Sequence, residues 1–433
     1  MSQHAEYKDS GIPWIGDIPA HWEIVRLQTQ LDEVNEKNDP VQTTQILSLT
    51  NKLGVIPYEE KGNQGNKSKE DLTAYKIAYP DCIVANSMNI LIGSVGLSKY
   101  YGCVSPVYYV FRAKNAANID YINYLFSLPS FQRELRKYAN GILEIRLRVS
   151  SSNILKQKIA LPPVDEQRKI VEYLKSEIDR IDSVIAEAKA SIEEYKAWKA
   201  SIIYEAVTKG LDPTVEMKDS GIEWIGTVPA TWQLIRLKFL MEAIVDCPHE
   251  TPEYSNDGSY YVIRTADQDP GYLRPDENMY RLDENEYIKR IRRLPLAKDD
   301  IVYGREGERW GLACIVPASN KYCLGQRMMQ FRCNTSIFLP EFARWALNSY
   351  GVYMQGTVDT IGSTSPHVNI STLRDYQIPI PSIVEQERIA KYITERCDKI
   401  INLIAEKELL ITDLETYKKA LIFEVVTGKR RVC

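Results

Sequence analysis

The chain has 433 residues, 44% of them hydrophobic, which is enough for two or three packed domains and too apolar for a disordered polypeptide. Its 54 Lys and Arg against 58 Asp and Glu give a net charge of −4, so nucleic-acid binding would have to come from local patches, not from a basic tail. Eight cysteines without a Cys-X-X-Cys pair, only 4 histidines, no signal-peptide pattern and no apolar run near ~18 residues predict a soluble cytoplasmic protein without a zinc framework.

In chain order, Lys8–Leu27 ("KDSGIPWIGDIPAHWEIVRL") reads as a turn-rich wrap leading into a strand, its Trp14 and Trp22 serving as packing. Short strands follow at "QILSL", "CIVAN" and "VYYVFR", then short helices within "IDYINYLFSLPSFQRELRKYA". Pro162 and Pro163 block helix formation, and Asp165 and Glu166 then place negative charge in the first turn of a long helix. Its apolar positions step by four and three through Leu174, Ile178, Ile181, Ile185, Ala188, Ile192, Tyr195, Ile202 and Ala206, with Lys199 as the polar member. That spacing is a coiled-coil seam. A second block brings strands at "YYVIRT", "DDIVYG" and "QRMMQFRC", helices within "LPEFARWALNSYGVYMQ", and a second long helix. Each block is therefore α+β.

The chain repeats itself. Lys218–Leu237 ("KDSGIEWIGTVPATWQLIRL") matches Lys8–Leu27 at thirteen of twenty positions, at an offset of 210. "LPPVDEQRKIVEYLKSEIDRID" from Leu161 returns as "IPSIVEQERIAKYITERCDKII" from Ile380 at an offset of 219, which holds to the "LIFEVVT" that ends at Thr427. The second seam is Ile393, Cys397, Ile400, Ile404, Lys407, Ile411, Leu414, Lys418, Leu421 and Val425. Residues 32–150 and 242–369 between the matched ends share little, as expected of one scaffold that presents two specificities. Helices of about 42 residues would each span roughly 60 Å. Antiparallel pairing of their seams turns the direct repeat into a pseudo-twofold, with Cys433 near the N-terminus.

Motifs for chemistry are missing. No GxxxxGK[ST] phosphate loop occurs, "LIGSVG" lacks the later acid of a dinucleotide fingerprint, and no amino-methyl-transfer site is encoded. Asp246-Cys247-Pro248-His249 has one thiol and one imidazole without a second cluster, which reads as a DNA-facing or structural loop, not a catalytic site. Basic residues concentrate in 130–160 (Arg133, Arg136, Lys137, Arg146, Arg148, Lys156, Lys158) and in "YIKRIRRLPLAK" from Tyr287, where they would neutralise phosphates. Base readout needs forked donors and short polar groups on loops. The candidates are Lys99, Tyr100, Arg146, Arg148 and Ser151 in the first block. In the second they are His249, Arg305, Arg309, Gln326, Arg327, Ser363, Thr364 and His367.

The paired "KDSGI-W-IG" segments, the paired "LPPVDEQ" and "IPSIVEQ" helix starts, and "DCPHETPEY" and "LGQRMMQFR" of the second block resemble the specificity subunits of type I restriction–modification enzymes, over essentially the whole chain. The resemblance implies two pseudo-twofold-related target recognition domains, at 1–160 and 211–379, separated by two long antiparallel helices at 161–210 and 380–433 that form a coiled coil. Each domain would read one half of a bipartite double-stranded DNA target. The helices would set half-site spacing and dock two methyltransferase subunits. Those partners would carry S-adenosylmethionine, the chain itself binding no cofactor or metal and catalysing nothing, and restriction subunits could join them. Two readers on one DNA face should sit near a multiple of about 34 Å. A stand-alone DNA-binding decoy or regulator, or a protein-interaction spacer, are the competing readings. Base-reading residues vary with the target, so none is carried over from the family.

Overall fold

The computed structural model describes residues 6–50, 53–62, 71–114, 118–140, 147–357 and 366–432. It divides into two compact units, residues 1–188 with 409–433, and residues 189–408. Each unit holds one α+β block and part of both long helices.

In the first unit, Tyr7–Asp9 pairs with Asp17–Pro19, and Glu23–Arg26 pairs antiparallel with Lys158–Leu161. The latter ribbon closes the neck of the block, because Lys158–Leu161 is the strand that runs into the long helix. Between these two strands lies an antiparallel sheet in the order Leu31–Val34, Tyr108–Ala113, Cys82–Asn86, Val95–Leu97. Its middle strands are apolar on both faces, and Cys82–Asn86 is buried at every residue. Such runs fit a sheet covered on each side. Helices Ile119–Ser127 and Pro129–Arg136 bury Tyr121, Ile122, Leu125, Phe126, Phe131 and Leu135 in the core that also holds Ile83, Ala85 and Phe111. Asn118 caps the first of these helices by accepting from the Tyr121 backbone N–H at 3.2 Å. Pro129 opens the second, where its missing N–H is no loss.

The second unit repeats this plan from different residues. Its sheet runs Met241–Asp246, Met328–Cys333, Ile301–Gly304, Ala313–Ile315, the same order and sense. Gln233–Arg236 pairs with Gln377–Ile380 as its neck ribbon. Helices Pro340–Leu347 and Tyr350–Thr357 follow the sheet. The second block adds a sheet of Tyr280–Leu282, Tyr260–Ile263 and Tyr322–Leu324, the last two parallel. The first block has two small hairpins instead, Leu47–Thr50 with Gly54–Pro57 and Lys76–Ala78 with Gly102–Val104.

The long helices are Val164–Lys209, of 46 residues, and Ile383–Val426, of 44. Both stop at glycines in the left-handed region, Gly210 (φ 75°) and Gly428 (φ 73°). None of the expected seam positions is exposed. Within the first unit the start of the first helix meets the end of the second. Ile181 and Ile185 share a core with Leu421 and Ile422, and the Tyr121 hydroxyl lies 3.1 and 2.9 Å from the carbonyl oxygens of Ala160 and Val426. Within the second unit the end of the first helix meets the start of the second, with Ile203, Ala206 and Val207 beside Ile389, Ile393 and Cys397. Both pairings are antiparallel.

The seam lysines at position 199 and its repeat, 418, part company. Lys418 Nζ lies 2.7 Å from both carboxylate oxygens of Asp182. The repeat of Asp182 is Ile401, and Lys199 instead donates to the Pro270 carbonyl at 3.3 Å and sits over the Tyr272 ring. Burial pushes the Lys199 ammonium below its ordinary value. Trp22 and Trp232 are fully packed in their cores, with Trp14 and Trp224 partly buried.

Candidate nucleic-acid interface

The second block gathers most of its candidate residues at one end of its sheet. Asp246, Gly304 and Met328 end neighbouring strands there, and the segments that follow or precede them form a braid. The Arg305 N–H donates to the Arg327 carbonyl at 2.9 Å, Val368 N–H to Arg305 at 3.2 Å, and Gly307 N–H to Pro366 at 2.9 Å. His249, Arg305, Gln326, Arg327 and His367 are thereby brought together from four separate parts of the chain.

Their side chains do different things. His249 Nε2 lies 2.9 Å from Asp246 Oδ2 while more than half of its side chain stays exposed. Gln326 donates its amide to the His249 carbonyl at 3.3 Å and accepts from Thr251 Oγ1 at 3.3 Å. Arg327 is exposed, and its backbone holds φ 70°, a left-handed conformation that a side-chain-bearing residue rarely adopts. Its guanidinium crosses Gly307, where an added Cβ would stand 3.4 Å from Nη1. Gly307 itself has φ 90°, and it is this backbone conformation that favours glycine there. His367 pairs its backbone with Glu306.

Arg305 is only 7% exposed; its Nη2 is 3.6 Å from Asp246 and 2.5 Å from Glu306, and Nη1 reaches the Val368 carbonyl. Its guanidinium holds the braid together and has little surface to offer a partner. Arg309 turns to another side of the block, where Nη2 donates to the Gln268 carbonyl and lies 2.9 Å from Asp269.

In the first block the candidates separate. Lys99 and Tyr100 occupy a turn in which Ser98 Oγ bonds the Tyr100 carbonyl at 2.9 Å, beside Asp81 and the Cys82 end of its strand. Arg148 and Ser151 sit at the opposite, Asn86 end. The Val149 N–H donates to the Ser87 carbonyl at 3.2 Å, and Arg148 Nη2 lies 3.7 Å from Met88 Sδ. Arg148 is on a short strand and exposed, and Ser151 opens a one-turn helix capped by Ser150. Tyr109 is beside them, its hydroxyl pushed up by burial and pulled back by the Ser151 backbone and by Arg148. His367 repeats Arg148 at the offset of 219, and the Val149 N–H bond to the Ser87 carbonyl is matched by the Val368 N–H bond to the Arg305 carbonyl, so the two blocks share one sheet-end position. Arg146, Ser363 and Thr364 lie outside the described residues.

The basic run from Tyr287 also sorts itself. Arg292 and Lys298 are exposed, Lys289 lies 3.1 Å from Glu286, and Arg293 donates to the Asp246 carbonyl at 2.8 Å. Arg290 is 6% exposed and binds the carbonyls of Leu324, Glu250 and Pro248 at 3.0, 2.8 and 3.3 Å. Sequence reasoning missed its role, which is to shape the loop that carries His249. A run of like charges contains no local signal that one member turns inward.

Cys247 is buried, and that burial pushes its thiol up, away from nucleophile chemistry. Among the described residues no group of three His, Cys, Asp or Glu side chains is placed to hold a metal, and no helix is long and apolar enough to cross a membrane.

Comparison with known proteins adds three findings. The sequence profile of the type I restriction modification DNA specificity domain matches residues 19–194 and 229–412. The chain is 24% identical over 429 residues to the type I restriction enzyme MjaVIII specificity subunit of Methanocaldococcus jannaschii, covering 96% of this chain and 94% of that one. It is 22% identical to the putative MjaX specificity subunit of the same organism, over 96% of both. Among solved structures, a chain from work on complex assembly and conformational transition of the type I R-M system aligns with a TM-score of 0.68 at 15% identity, over 94% of this chain and 98% of that one. The HsdS subunit from Thermoanaerobacter tengcongensis aligns at 0.52 and 14% identity, over 95% and 98%.

Proposed function

Since the chain belongs to the type I restriction modification DNA specificity family, we propose that it is the DNA-reading subunit of a restriction–modification complex. Each block reads one half of a bipartite duplex target, through the sheet-end position the two blocks share. The long helices fix the spacing between half-sites and dock two methyltransferase subunits. Those subunits bring S-adenosylmethionine and the adenine-methylating chemistry. Restriction subunits joining the same complex would cut unmodified DNA, and the whole would work in the cytoplasm.

The observation that carries this reading is the duplicated sheet end with unlike side chains. The strand order is the same in both blocks. Yet the groups that reach the surface there are Arg148 beside Tyr109 in one, and Arg327, Gln326 and His249 in the other. Forked donors suit base edges in the major groove, with arginine favouring guanine and glutamine favouring adenine. A scaffold held constant around a changed set of donors is what two different half-sites require. Phosphate contacts come from Arg292, Lys298 and Lys99, which are exposed and carry charge without a fixed orientation.

Mapping adenine methylation across the genome of cells with and without this chain, alongside its cognate methyltransferase, tests the proposal. A split motif that appears only with the chain present is expected, and it reads out both half-sites and the spacer. No new motif, with the methyltransferase shown to be active, overturns it in favour of a DNA-binding decoy.

A further inference from the structure

The repeat offers an internal control for surfaces unrelated to the sheet ends. Helix Pro129–Arg136 and helix Tyr350–Thr357 are counterparts, displaced by 221 residues (350 − 129), and they bury the matching positions Phe131 and Val352. In the second unit Tyr350 lies edge-on to Tyr204, ring centroids 6.5 Å apart. In the first unit Phe423 repeats Tyr204, but Pro129 stands where Tyr350 would be. A groove of about 620 Å³ lies there between Trp14, Pro129 and Phe423.

Charge differs in the same place. Arg133, Lys137 and Lys419 rim the groove against a single carboxylate, Glu134. Their repeats in the second half are Met354, Val358 and Ala200, so no basic residue recurs. Lys137 is held 2.6 Å from Glu134, whereas Arg133 and Lys419 are exposed and have no side-chain partner among the described residues. An apolar floor under a basic rim is complementary to a ring flanked by carboxylates. A phosphate backbone would match the rim and leave Trp14 and Phe423 wet. Exposed ion pairs contribute little by themselves, so the ring supplies most of the affinity while the charges orient it.

We infer that the first unit carries a docking groove for an acidic protein segment bearing an aromatic side chain, a surface that the second unit lacks. Such a partner would engage one end of the repeat and not the other, which distinguishes it from any partner that follows the pseudo-twofold. The inference stands apart from the DNA-reading role, and neither depends on the other.

The test uses the full chain and a fluorescein-labelled nonapeptide of Glu and Asp around a single central Tyr, followed by anisotropy. Saturable binding is expected, weakened about tenfold or more when the peptide Tyr becomes Ala, in line with loss of a buried aromatic anchor. Pro129→Tyr, which restores the ring of the other unit, should abolish binding with the melting temperature unchanged. The surface pair Arg133→Glu and Lys419→Glu should do the same should Pro129→Tyr perturb folding. Three results overturn the inference: no saturable binding up to about 1 mM, a regime too weak for a specific anchor; equal binding of the Tyr-free peptide; or a DNA duplex that displaces the peptide and loses affinity in the same variants.

Discussion

The two sheet ends are built alike and filled differently. In the second block five candidate residues converge through backbone hydrogen bonds between the 305–307, 325–327 and 366–368 segments, and a buried guanidinium, Arg290, braces the loop beside them. In the first block Arg148 and Ser151 sit at one end of strand Cys82–Asn86, while Lys99 and Tyr100 sit at the other. The lesson is that the scaffold conserves a place and not a set of contacts. Direct reading at that place can be dense in one half and sparse in the other, and the sparse half can then rely more on backbone contacts and DNA shape.

The largest expected effect breaks the dense site from beneath. Arg290→Met strips donors from three carbonyls, that of Leu324 in a buried setting, and should reduce stability by roughly 2–4 kcal/mol in urea denaturation. Half-site recognition should fall for the second block only; a loss below about 0.5 kcal/mol, typical of a surface change, would show that the guanidinium is not structural. Next, Arg327→Ala should relax discrimination at one base pair of the second half-site by roughly 1–3 kcal/mol in competition binding, and Arg148→Ala should do so in the first. Equal losses against every sequence would reassign either arginine to phosphate.

A third change concerns the seam. Lys199 is held below its ordinary value of 10.5 by burial, so between its folded and unfolded values the unfolded chain binds more protons and stability rises with pH. Lys199→Met should raise stability by about 1 kcal/mol at pH 7 and should lack this rise, so that the wild-type-minus-variant difference isolates it. Lys418→Met, which loses an exposed pair with Asp182, should change stability by less than about 0.5 kcal/mol. Equal responses from the two lysines would contradict the asymmetry. The smallest effect is Lys99→Ala, expected to weaken binding evenly across sequences and lower the salt slope by about one.

Much of the architecture was legible because it is written in local pattern. Matched ends and four-three spacing give the duplication and both helices, and the Pro162-Pro163 pair places the first helix start. The shared sheet order was not legible. Strand pairing joins Met241–Asp246 to Met328–Cys333 across a long stretch of chain, and the diverged residues between them carry no trace of register. For the site, the search for forked donors on loops pointed to Arg327 and Gln326, and both lie at the sheet end. Arg305 and Arg290 defeated the same reasoning, because an arginine that bonds carbonyls or carboxylates inside a loop looks, in sequence, like one that faces solvent.

The division of the long helices has a consequence for the order of synthesis. Residues 189–408 form a continuous stretch, so that unit has every part it needs before the chain is finished. The unit that begins first must wait: Leu421, Ile422, Val425 and Val426 complete its core, and the Val426 carbonyl sits against the Tyr121 hydroxyl. The amino-terminal block thus leaves the ribosome with an apolar strip uncovered until residues 409–433 arrive, and the later-made unit is the first to close.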